Sequence, residues 1–220
     1  MKKIVVLGSG GHAKVVIETL QAMKQYEIVG VTTTDSTLKG LFFGVPVLGN
    51  DSLLPMLHSQ GIQFAAIGVG GYRDNNLRKK IFNLAKSAGF ECPTVIHPRA
   101  IISQTAKIGA GSVIFPGAII HSNTIIGQNV VVATGATVDH DTTIANDVLV
   151  SAGVHVGANV KIAESSLLAI GSIIISGIQV GRGSLVAAGA VVVKDVLDNE
   201  NVFGIPAKAR HYDTKILIEQ

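Results

Sequence analysis

The sequence predicts a protein in two parts, with an α/β region in residues 1–95 and a parallel β-helix in residues 96–220. The main observation is that Ile, Val or Leu recurs at every sixth position, sixteen times in succession, from Ile102 to Val192. A Gly-rich turn between an apolar run and a helical pattern near the N-terminus indicates the α/β region. A Gly-Ile-Pro segment after the last repeat indicates where the β-helix ends.

A period of six fits neither an α-helix nor an alternating strand. It fits a hexapeptide-repeat solenoid, in which each hexad forms one flat face and three hexads form one triangular coil. Glycines between the aliphatic positions permit the tight corners, and no insertion interrupts the phase. The inward positions are Ile102, Ile108, Ile114, Ile120, Ile126, Val132, Val138, Ile144, Val150, Val156, Ile162, Leu168, Ile174, Val180, Val186 and Val192.

Composition and charge narrow the possible functions. The 220-residue chain is 47% hydrophobic, but it has no uninterrupted apolar run of the length that crosses a membrane. A net charge of +3 does not by itself indicate nucleic-acid binding. Residues 1–95 contain ten Lys or Arg against six Asp or Glu, which suits a phosphorylated small ligand. The single cysteine, Cys92, excludes an intrachain disulfide and favours a cytoplasmic protein.

The solenoid carries few charges on its flanks. Residues 102–192 include only seven Asp, Glu, Lys or Arg. Sparsely charged flanks of this kind need a covering surface, and a closed threefold ring suits a triangular prism. We therefore expect a homotrimer.

The α/β region begins with a predicted strand, Lys2 to Leu7, and a predicted helix, Ala13 to Met23. The turn between them, Gly8-Ser9-Gly10-Gly11-His12-Ala13, has the pattern Gly-x-Gly-x-x-Ala. Such a turn presents backbone N–H groups and a helix N-terminus to a phosphate. A second strand, Glu27 to Thr32, ends near Asp35, where an acidic residue can meet a ribose or a base.

The whole α/β region, about 90 residues, amounts to roughly one mononucleotide-binding half of a Rossmann-like fold. That size favours a sugar nucleotide over NAD, although a Rossmann-like scaffold without a ligand remains an alternative. We expect an edge strand or loop at Val45 to Gly49, a helix capped by Asp51 and ending at His58, a strand from Phe64 to Val69, a helix from Arg73 to Ser87, and a link from Thr94 to Ile96.

Three polar residues in succession, Asp139-His140-Asp141, form a candidate catalytic site within the unbroken repeat. His140 occupies the outward third position of its hexad, between two carboxylates. A neighbouring carboxylate can fix the imidazole tautomer and stabilise its charged form, as a general base requires. Isolated surface histidines are usually inert, but this pattern favours catalysis.

Residues one coil apart stack about 4.8 Å above one another, the spacing of adjacent strands. His140 therefore shares a column with Ser122, Ala158, Ser176 and Lys194. We expect a shallow trench floored by Ala158 and Ser176, with the N–H of Ala158 available to a developing oxyanion.

Two further histidines, His121 and His155, occupy other hexad positions. They are not expected to converge with His140 within one subunit. Convergence across a trimer interface stays open.

The solenoid ends with Gly204-Ile205-Pro206-Ala207, followed closely by Lys208 and Arg210. These two cations, with Arg182, are candidates for nucleotide phosphate contacts. Solvated surface cations are an equal alternative.

Four motifs together resemble the bacterial sugar O-acyltransferase and nucleotide-aminosugar N-acetyltransferase family, which includes sialic acid O-acetyltransferases. They are the Gly-Ser-Gly-Gly-His-Ala-Lys opening, His97-Pro98, Asp139-His140-Asp141 and Gly204-Ile205-Pro206-Ala207. The resemblance implies a left-handed β-helix trimer that uses acetyl-CoA. It also implies a nucleotide-linked amino sugar in the N-terminal domain and CoA in a groove between subunits.

By this resemblance His140 is the base and Asp141 its support, with no metal. The residues expected to bind the acceptor are Gly8, Gly10, Gly11, His12, Lys14, Asp35 and Gly68. The residues expected along acetyl-CoA are Ala158, Ser176, Arg182, Gly204, Lys208 and Arg210. The chain departs from the family pattern at Leu149, where many members have a second His, and at Ala158, where Gly is common.

The favoured function is acetyl-CoA-dependent N-acetylation of a nucleotide-linked amino-deoxy sugar for surface glycan synthesis. O-acetylation of a sialic acid or related sugar is the nearest alternative. A γ-carbonic-anhydrase-like zinc hydratase would need three metal-binding histidines and no nucleotide domain. A non-catalytic sugar-nucleotide sensor would keep the N-terminal motif and tolerate loss of His140.

Overall fold

A computed structural model describes residues 1–71 and 75–209 of the chain. An α/β region comes first, and a left-handed parallel β-helix follows it. The predicted fold class is therefore confirmed. Within the described ranges, every helix is too short or too polar to cross a lipid bilayer.

The α/β region is built on a twisted sheet with strand order β3-β4-β2-β1-β5. Strand β1 lies parallel to β2 and β5, β2 lies parallel to β4, and β3 pairs antiparallel with β4. The strands are β1 (Lys2–Leu7), β2 (Tyr26–Thr32), β3 (Leu41–Phe42), β4 (Val45–Gly49) and β5 (Phe64–Ile67). The helices are α1 (Gly11–Met23), a 3₁₀ turn (Asp51–Leu53), α2 (Leu54–Ser59) and α3 (Asn76–Ser87).

Several local predictions need correction. Strand β4 lies between β2 and β3 and is not an edge strand, because the short β3 folds back on it. The residue that caps the 3₁₀ turn is Asn50, whose Oδ1 accepts from the N–H of Ser52. Asp51 instead accepts from the hydroxyl of Thr32. The predicted start of the last helix, Arg73, lies outside the described residues.

Residues 95–209 form three sheets, one on each face of the triangular coil, in which every strand is parallel to its neighbours except the last, Lys208–Ala209. The first face contains β6 (Val95–Ile96), β9 (Val113–Ile114), β12 (Val131–Val132), β15 (Leu149–Val150), β18 (Leu167–Leu168), β21 (Leu185–Val186), β23 (Asn201–Phe203) and β24 (Lys208–Ala209). The second face contains β7 (Ile101–Ile102), β10 (Ile119–Ile120), β13 (Thr137–Val138), β16 (His155–Val156), β19 (Ile173–Ile174) and β22 (Val191–Val192). The third face contains β8 (Lys107–Ile108), β11 (Ile125–Ile126), β14 (Thr143–Ile144), β17 (Lys161–Ile162) and β20 (Gln179–Val180).

The strand register matches the predicted coil length. Ile119 pairs with Ile101 on one side and Thr137 on the other, so paired residues are one coil apart. Inward aliphatic residues such as Ile120, Val138 and Val156 form one continuous buried core. Because their side chains are removed from water in every coil, the hexad phase is strongly fixed.

The α/β region covers the first face of the coil. Val113, Val131, Leu149 and Leu167 point outward from that face and share a buried cluster with apolar residues of α1 and the sheet. This packing leaves the second and third faces uncovered. On the second face Ile101 is 64% exposed and Ile173 is 40% exposed.

Helix α3 fastens the α/β region to one corner of the coil through Arg78. This side chain is fully buried and donates to the backbone carbonyls of Ile67, Val69, Gly111 and Asn129 at 2.8–3.3 Å. Burial lowers the pKa of Arg78 to about 9, so the guanidinium remains charged at neutral pH. Its hydrogen bonds join the end of β5 and the loop that follows it to two successive coil corners.

Further along the same corner, Lys79 forms ion pairs with Asp147 at 3.0 Å and Glu164 at 2.6 Å. The side-chain amide of Asn75 donates to the carbonyl of Asp147 at 2.8 Å. Polar contacts therefore follow the corner upward from coil to coil, and they set how the α/β region sits on the solenoid.

We call the contact between α3 and the coil corner that it covers the seam. The packing there leads us to expect different losses of stability from two chemically identical substitutions. Gly111 and Gly135 both occupy coil corners at positive φ, 71° and 68°. A Cβ on Gly111 would collide with the ring of Phe82 on α3, whereas a Cβ on Gly135 would meet open space. Gly135→Ala should cost only the left-handed backbone penalty of about 1–2 kcal/mol. Gly111→Ala should cost about 1–3 kcal/mol more through overpacking.

Chemical unfolding of both variants at one protein concentration measures this difference. Equal losses of stability would show that α3 does not press against the corner.

Candidate active site

The His140 side chain lies at the corner between the second and third faces. Its Nδ1 is 2.7 Å from Oδ2 of Asp141, and its backbone N–H donates to Oδ1 of Asp139 at 2.8 Å. Asp141 is placed for this contact by the corner conformation, with φ of 56°. Asn123 and Asn159 lie one coil below and above it at φ of 57° and 55°. Asn and Asp tolerate this left-handed region better than most residues, so the repeat itself aims the carboxylate.

The local charges favour a basic imidazole. The hydrogen bond that His140 donates to Asp141 raises the pKa of His140 above its ordinary value, and the nearby charge of Asp139 adds to this. Hydrogen bonds from His140 and Asn123 lower the pKa of the Asp141 carboxyl. Because ionised Asp141 can only accept, Nδ1 of His140 carries the proton and Nε2 is left as the proton acceptor.

A groove of about 540 Å³, the second-face groove, runs beside this corner. Its wall combines aliphatic side chains with two histidines and a threonine. Thr137 Oγ1 and His155 Nδ1 are hydrogen-bonded at 2.9 Å across adjacent coils. The lining residues are Ile119, His121, Thr137, Asp139, His155, Val156, Gly157, Ile173, Ile174, Ile175 and Ser176.

His121 and His155 line the same groove as Asp139, whereas His140 is not part of the wall. One expectation about this corner changes. The N–H of Ala158 donates to the hydroxyl of Ser176 at 3.1 Å. It is therefore already bonded and not available to an oxyanion as expected. Ser176 is exposed, and its hydroxyl donates a hydrogen bond to none of the described residues.

Leu149, one of the two departures from the family pattern, lies on the first face. It is buried in the cluster that α1 covers, so within this chain it faces away from the second-face groove. Among residues 1–71 and 75–209, no three His, Cys, Asp or Glu side chains are grouped closely enough to hold a metal ion.

A second cavity of about 360 Å³, the N-terminal pocket, opens at the carboxyl ends of the parallel strands. Gly8, Gly10 and Asp35 of the predicted acceptor set line it. Gly8 has φ of 117°, and a Cβ there would approach Gly68 to 3.1 Å. The loops after β1 and β5 therefore meet closely at the point where strand order reverses, the usual ligand-binding edge of such a sheet.

Helix α1 begins beside this pocket with an open N-terminus. Gly10, its N-cap, provides no side-chain hydrogen bond, and the space at the Cβ positions of Gly10 and Gly11 is empty. The first N–H groups of the helix are consequently available to an anion.

His12 and Lys14 lie outside the pocket wall. His12 packs on Phe115 of the coil, with ring centroids 5.2 Å apart, and its Nε2 is 3.2 Å from Nη1 of Arg78. Burial, with the charge of Arg78, lowers its pKa to about 3, so His12 is neutral. It belongs to the seam between the two parts, and Lys14 is exposed on α1.

Sequence reasoning missed a polar wall of the N-terminal pocket. The hydroxyl of Thr32 donates to Oδ1 of Asp51 at 2.6 Å, and the hydroxyls of Ser9 and Thr33 are 2.6 Å apart. A signal was present: Asp51 follows strand β4 as Asp35 follows β2, and parallel strands place their carboxyl ends on one edge.

The residues expected along acetyl-CoA do not meet within one chain. Ala158 and Ser176 lie at the corner between the second and third faces, whereas Arg182 lies between the third and first. Gly204 follows β23 on the first face, and exposed Lys208 is in β24. Arg210 is outside the described residues.

Two family models match the sequence. Residues 3–85 match the PglD N-terminal domain, and residues 105–140 match the bacterial transferase hexapeptide of six repeats. No curated protein sequence matches the chain.

Solved structures match over nearly the full length. A GDP-perosamine N-acetyl transferase from Caulobacter crescentus, crystallised with CoA and GDP-perosamine, is 34% identical, with a TM-score of 0.90 over 96% of this chain and 97% of that one. The acetyltransferase domain of PglB from Neisseria gonorrhoeae FA1090 is 36% identical, with a TM-score of 0.88 over 96% and 100%. WeeI from Acinetobacter baumannii AYE has the same fold at 24% identity and a TM-score of 0.79, covering 94% of this chain and 99% of its own.

The coil, its repeat and the two cavities define a hexapeptide-repeat acyltransferase. More particularly, the chain belongs to the bacterial hexapeptide sugar acyltransferase family whose members carry a PglD N-terminal domain.

The His140 environment can be tested directly. Asp141→Asn removes the charge that stabilises the imidazolium, so the pKa of His140 should fall from its raised value toward the ordinary one. An NMR titration of the histidine ring signals measures this. Asp198→Asn, which changes a distant carboxylate that accepts from the N–H of Arg182, is the matched control and should leave the titration unmoved. An unchanged pKa in Asp141→Asn would contradict the assigned contact.

Proposed function

We propose that this protein transfers the acetyl group of acetyl-CoA to the amino group of a nucleotide-linked amino-deoxy sugar, with His140 as general base. The observation that carries the proposal is the 2.7 Å contact between His140 Nδ1 and Asp141 beside an open groove. Full-length similarity to the GDP-perosamine N-acetyl transferase supports the reaction class.

The reaction proceeds by attack of the neutral sugar amine on the thioester carbonyl. As the C–N bond forms, the amine nitrogen becomes acidic and Nε2 of His140 takes its proton. Collapse of the tetrahedral adduct breaks the C–S bond, and the departing CoA thiolate receives the proton from the imidazolium. Asp141 holds the ring and stabilises its charge during this cycle.

The oxyanion of the adduct needs a hydrogen-bond donor. Because the N–H of Ala158 is bonded to Ser176 Oγ, the Ser176 hydroxyl is the donor that this corner offers. The N–H of Ala158 polarises that hydroxyl and strengthens it as a donor.

The two ends of the molecule divide the substrates. The N-terminal pocket, with the open start of α1, suits the nucleotide part of the acceptor, contacted by Gly8, Gly10, Gly11 and Asp35. The solenoid suits acetyl-CoA, which reaches the His140 corner through the second-face groove. We therefore assign residues 1–95 to nucleotide-sugar binding and residues 96–220 to acyl transfer.

A homotrimer supplies the missing walls. The second face exposes Ile101, Ile173 and Ile175, and the expected acetyl-CoA residues lie on different corners of one chain. Neighbouring copies related by a threefold axis bring different corners together. We also propose that the protein works in the cytoplasm as part of glycan synthesis, a setting that suits a chain with the single cysteine Cys92.

Replacing the base should impair turnover without removing the binding sites. General-base catalysis contributes about 10²–10⁴-fold, so His140→Ala should lower kcat by about that factor while both substrates still bind. His97→Ala, at the entry to the coil, is the matched control and should retain activity. Mass spectrometry of the product distinguishes an amide from an ester, and an ester would favour O-acetylation. Full activity of His140→Ala would remove the proposed mechanism.

The assembly is tested by light scattering with size-exclusion chromatography. At micromolar concentration the mass should be three times 22.8 kDa, because isolated chains would leave the apolar second face in water. Ile173→Lys should weaken the trimer by placing a charge in the interface. A stable monomer of the parent protein would contradict the arrangement.

A further inference from the structure

We propose that Asp51 selects the base of the nucleotide sugar and that the base is guanine. This inference rests on the proposed function and adds the identity of the nucleotide to it. It is drawn from the wall of the N-terminal pocket, where a carboxylate faces an aliphatic surface.

One side of the pocket is aliphatic. Leu77, on the first turn of α3, is 58% exposed and lines the cavity with Val69 and Ile81. An exposed leucine beside a cavity offers a flat apolar surface that a heterocyclic ring can cover.

The polar side ends in a carboxylate with spare acceptor capacity. Oδ1 of Asp51 accepts from Thr32 at 2.6 Å, which fixes the rotamer, and Oδ2 has no hydrogen-bond partner among the described residues. Asp35 is held by its own loop instead, because its Oδ1 accepts both the N–H and the hydroxyl of Thr37. The two acids therefore differ in what fixes them and in where they stand along the edge of the sheet.

The order of the strands places these groups along a nucleotide. The sheet runs β1, β2, β4, so the Gly8 loop, Asp35 and Asp51 follow one another at the carboxyl edge. Adjacent strands are about 4.8 Å apart, and Asp51 lies two strands from the Gly8 loop. With the diphosphate at the start of α1, the ribose meets Asp35 and the base reaches Asp51.

The chemistry of a carboxylate distinguishes the bases. A carboxylate only accepts hydrogen bonds. Guanine presents two adjacent donors, N1–H and the 2-amino group. Oδ2 of Asp51 accepts one of them, and Oδ1, which keeps a second lone pair beside its bond to Thr32, accepts the other. Uracil and thymine present a single N3–H between two carbonyl oxygens, which repel a carboxylate. Adenine lacks an N1–H donor.

Titration calorimetry on the full-length protein tests this with GDP, UDP, dTDP and IDP, whose hypoxanthine base lacks the 2-amino group. We expect GDP to bind most tightly. IDP should bind about 10- to 100-fold more weakly than GDP, the loss expected for one hydrogen bond to a charged group. Asp51→Asn should lower the affinity for GDP by a similar factor and leave UDP affinity unchanged.

Glu27→Gln is the matched control, because Glu27 is an exposed carboxylate at the start of β2, away from the pocket. It should keep the preference for GDP. Equal binding of GDP and IDP, or tighter binding of UDP or dTDP, would overturn the inference using the parent protein alone, even if Asp51→Asn failed to fold.

The proposed function is checked separately by acetyl transfer to GDP- and UDP-linked amino sugars. Transfer to the UDP-linked sugar in preference would overturn the role of Asp51 and leave the proposed reaction standing. Absence of transfer to both, with GDP still bound most tightly in calorimetry, would overturn the proposed reaction and leave the preference for guanine standing.

Discussion

Backbone hydrogen bonds between residues one coil apart set the geometry of the solenoid, and with it the surface on which the α/β region sits. Each coil repeats the register of the last, as in the pairing of Ile101, Ile119 and Thr137. Because the inward aliphatic residues must stay in the core, the outward positions are also fixed, coil by coil. His140 and Ser176 therefore share a column without any specific contact between them. The candidate catalytic corner is a consequence of the repeat.

The second constraint is the buried guanidinium of Arg78. Burying a charge is costly unless its donors are satisfied, and here four backbone carbonyls accept from it. Those carbonyls belong to the end of β5, to the loop that follows it and to two corners of the coil. The N-terminal pocket is thus held in a set orientation relative to the solenoid. The amine of the acceptor must reach the thioester of acetyl-CoA. A fixed orientation of the pocket relative to the solenoid therefore matters as much as either cavity.

The candidate site was predictable where neighbours in sequence are neighbours in space. Asp139-His140-Asp141 is such a segment, and the contact between His140 and Asp141 follows from one corner. Prediction failed where a side chain from another coil or strand intervened. Ser176 occupies the N–H of Ala158 from one coil above. His12 sits in the Gly-rich motif, yet Arg78 and Phe115 draw it into the seam.

The sequence alone determined the solenoid, its eighteen-residue coil and the strand-turn-helix at Gly8, because each depends on local periodicity and backbone preference. A chain with an aliphatic residue at every sixth position can bury all of them only by coiling with that period. Only the tertiary structure decided that Asp51 contacts Thr32, that Leu149 is buried beneath α1, and that Arg78 joins the two parts. Those outcomes depend on which distant elements pack together, and packing is set by long-range contacts that no sequence spacing encodes.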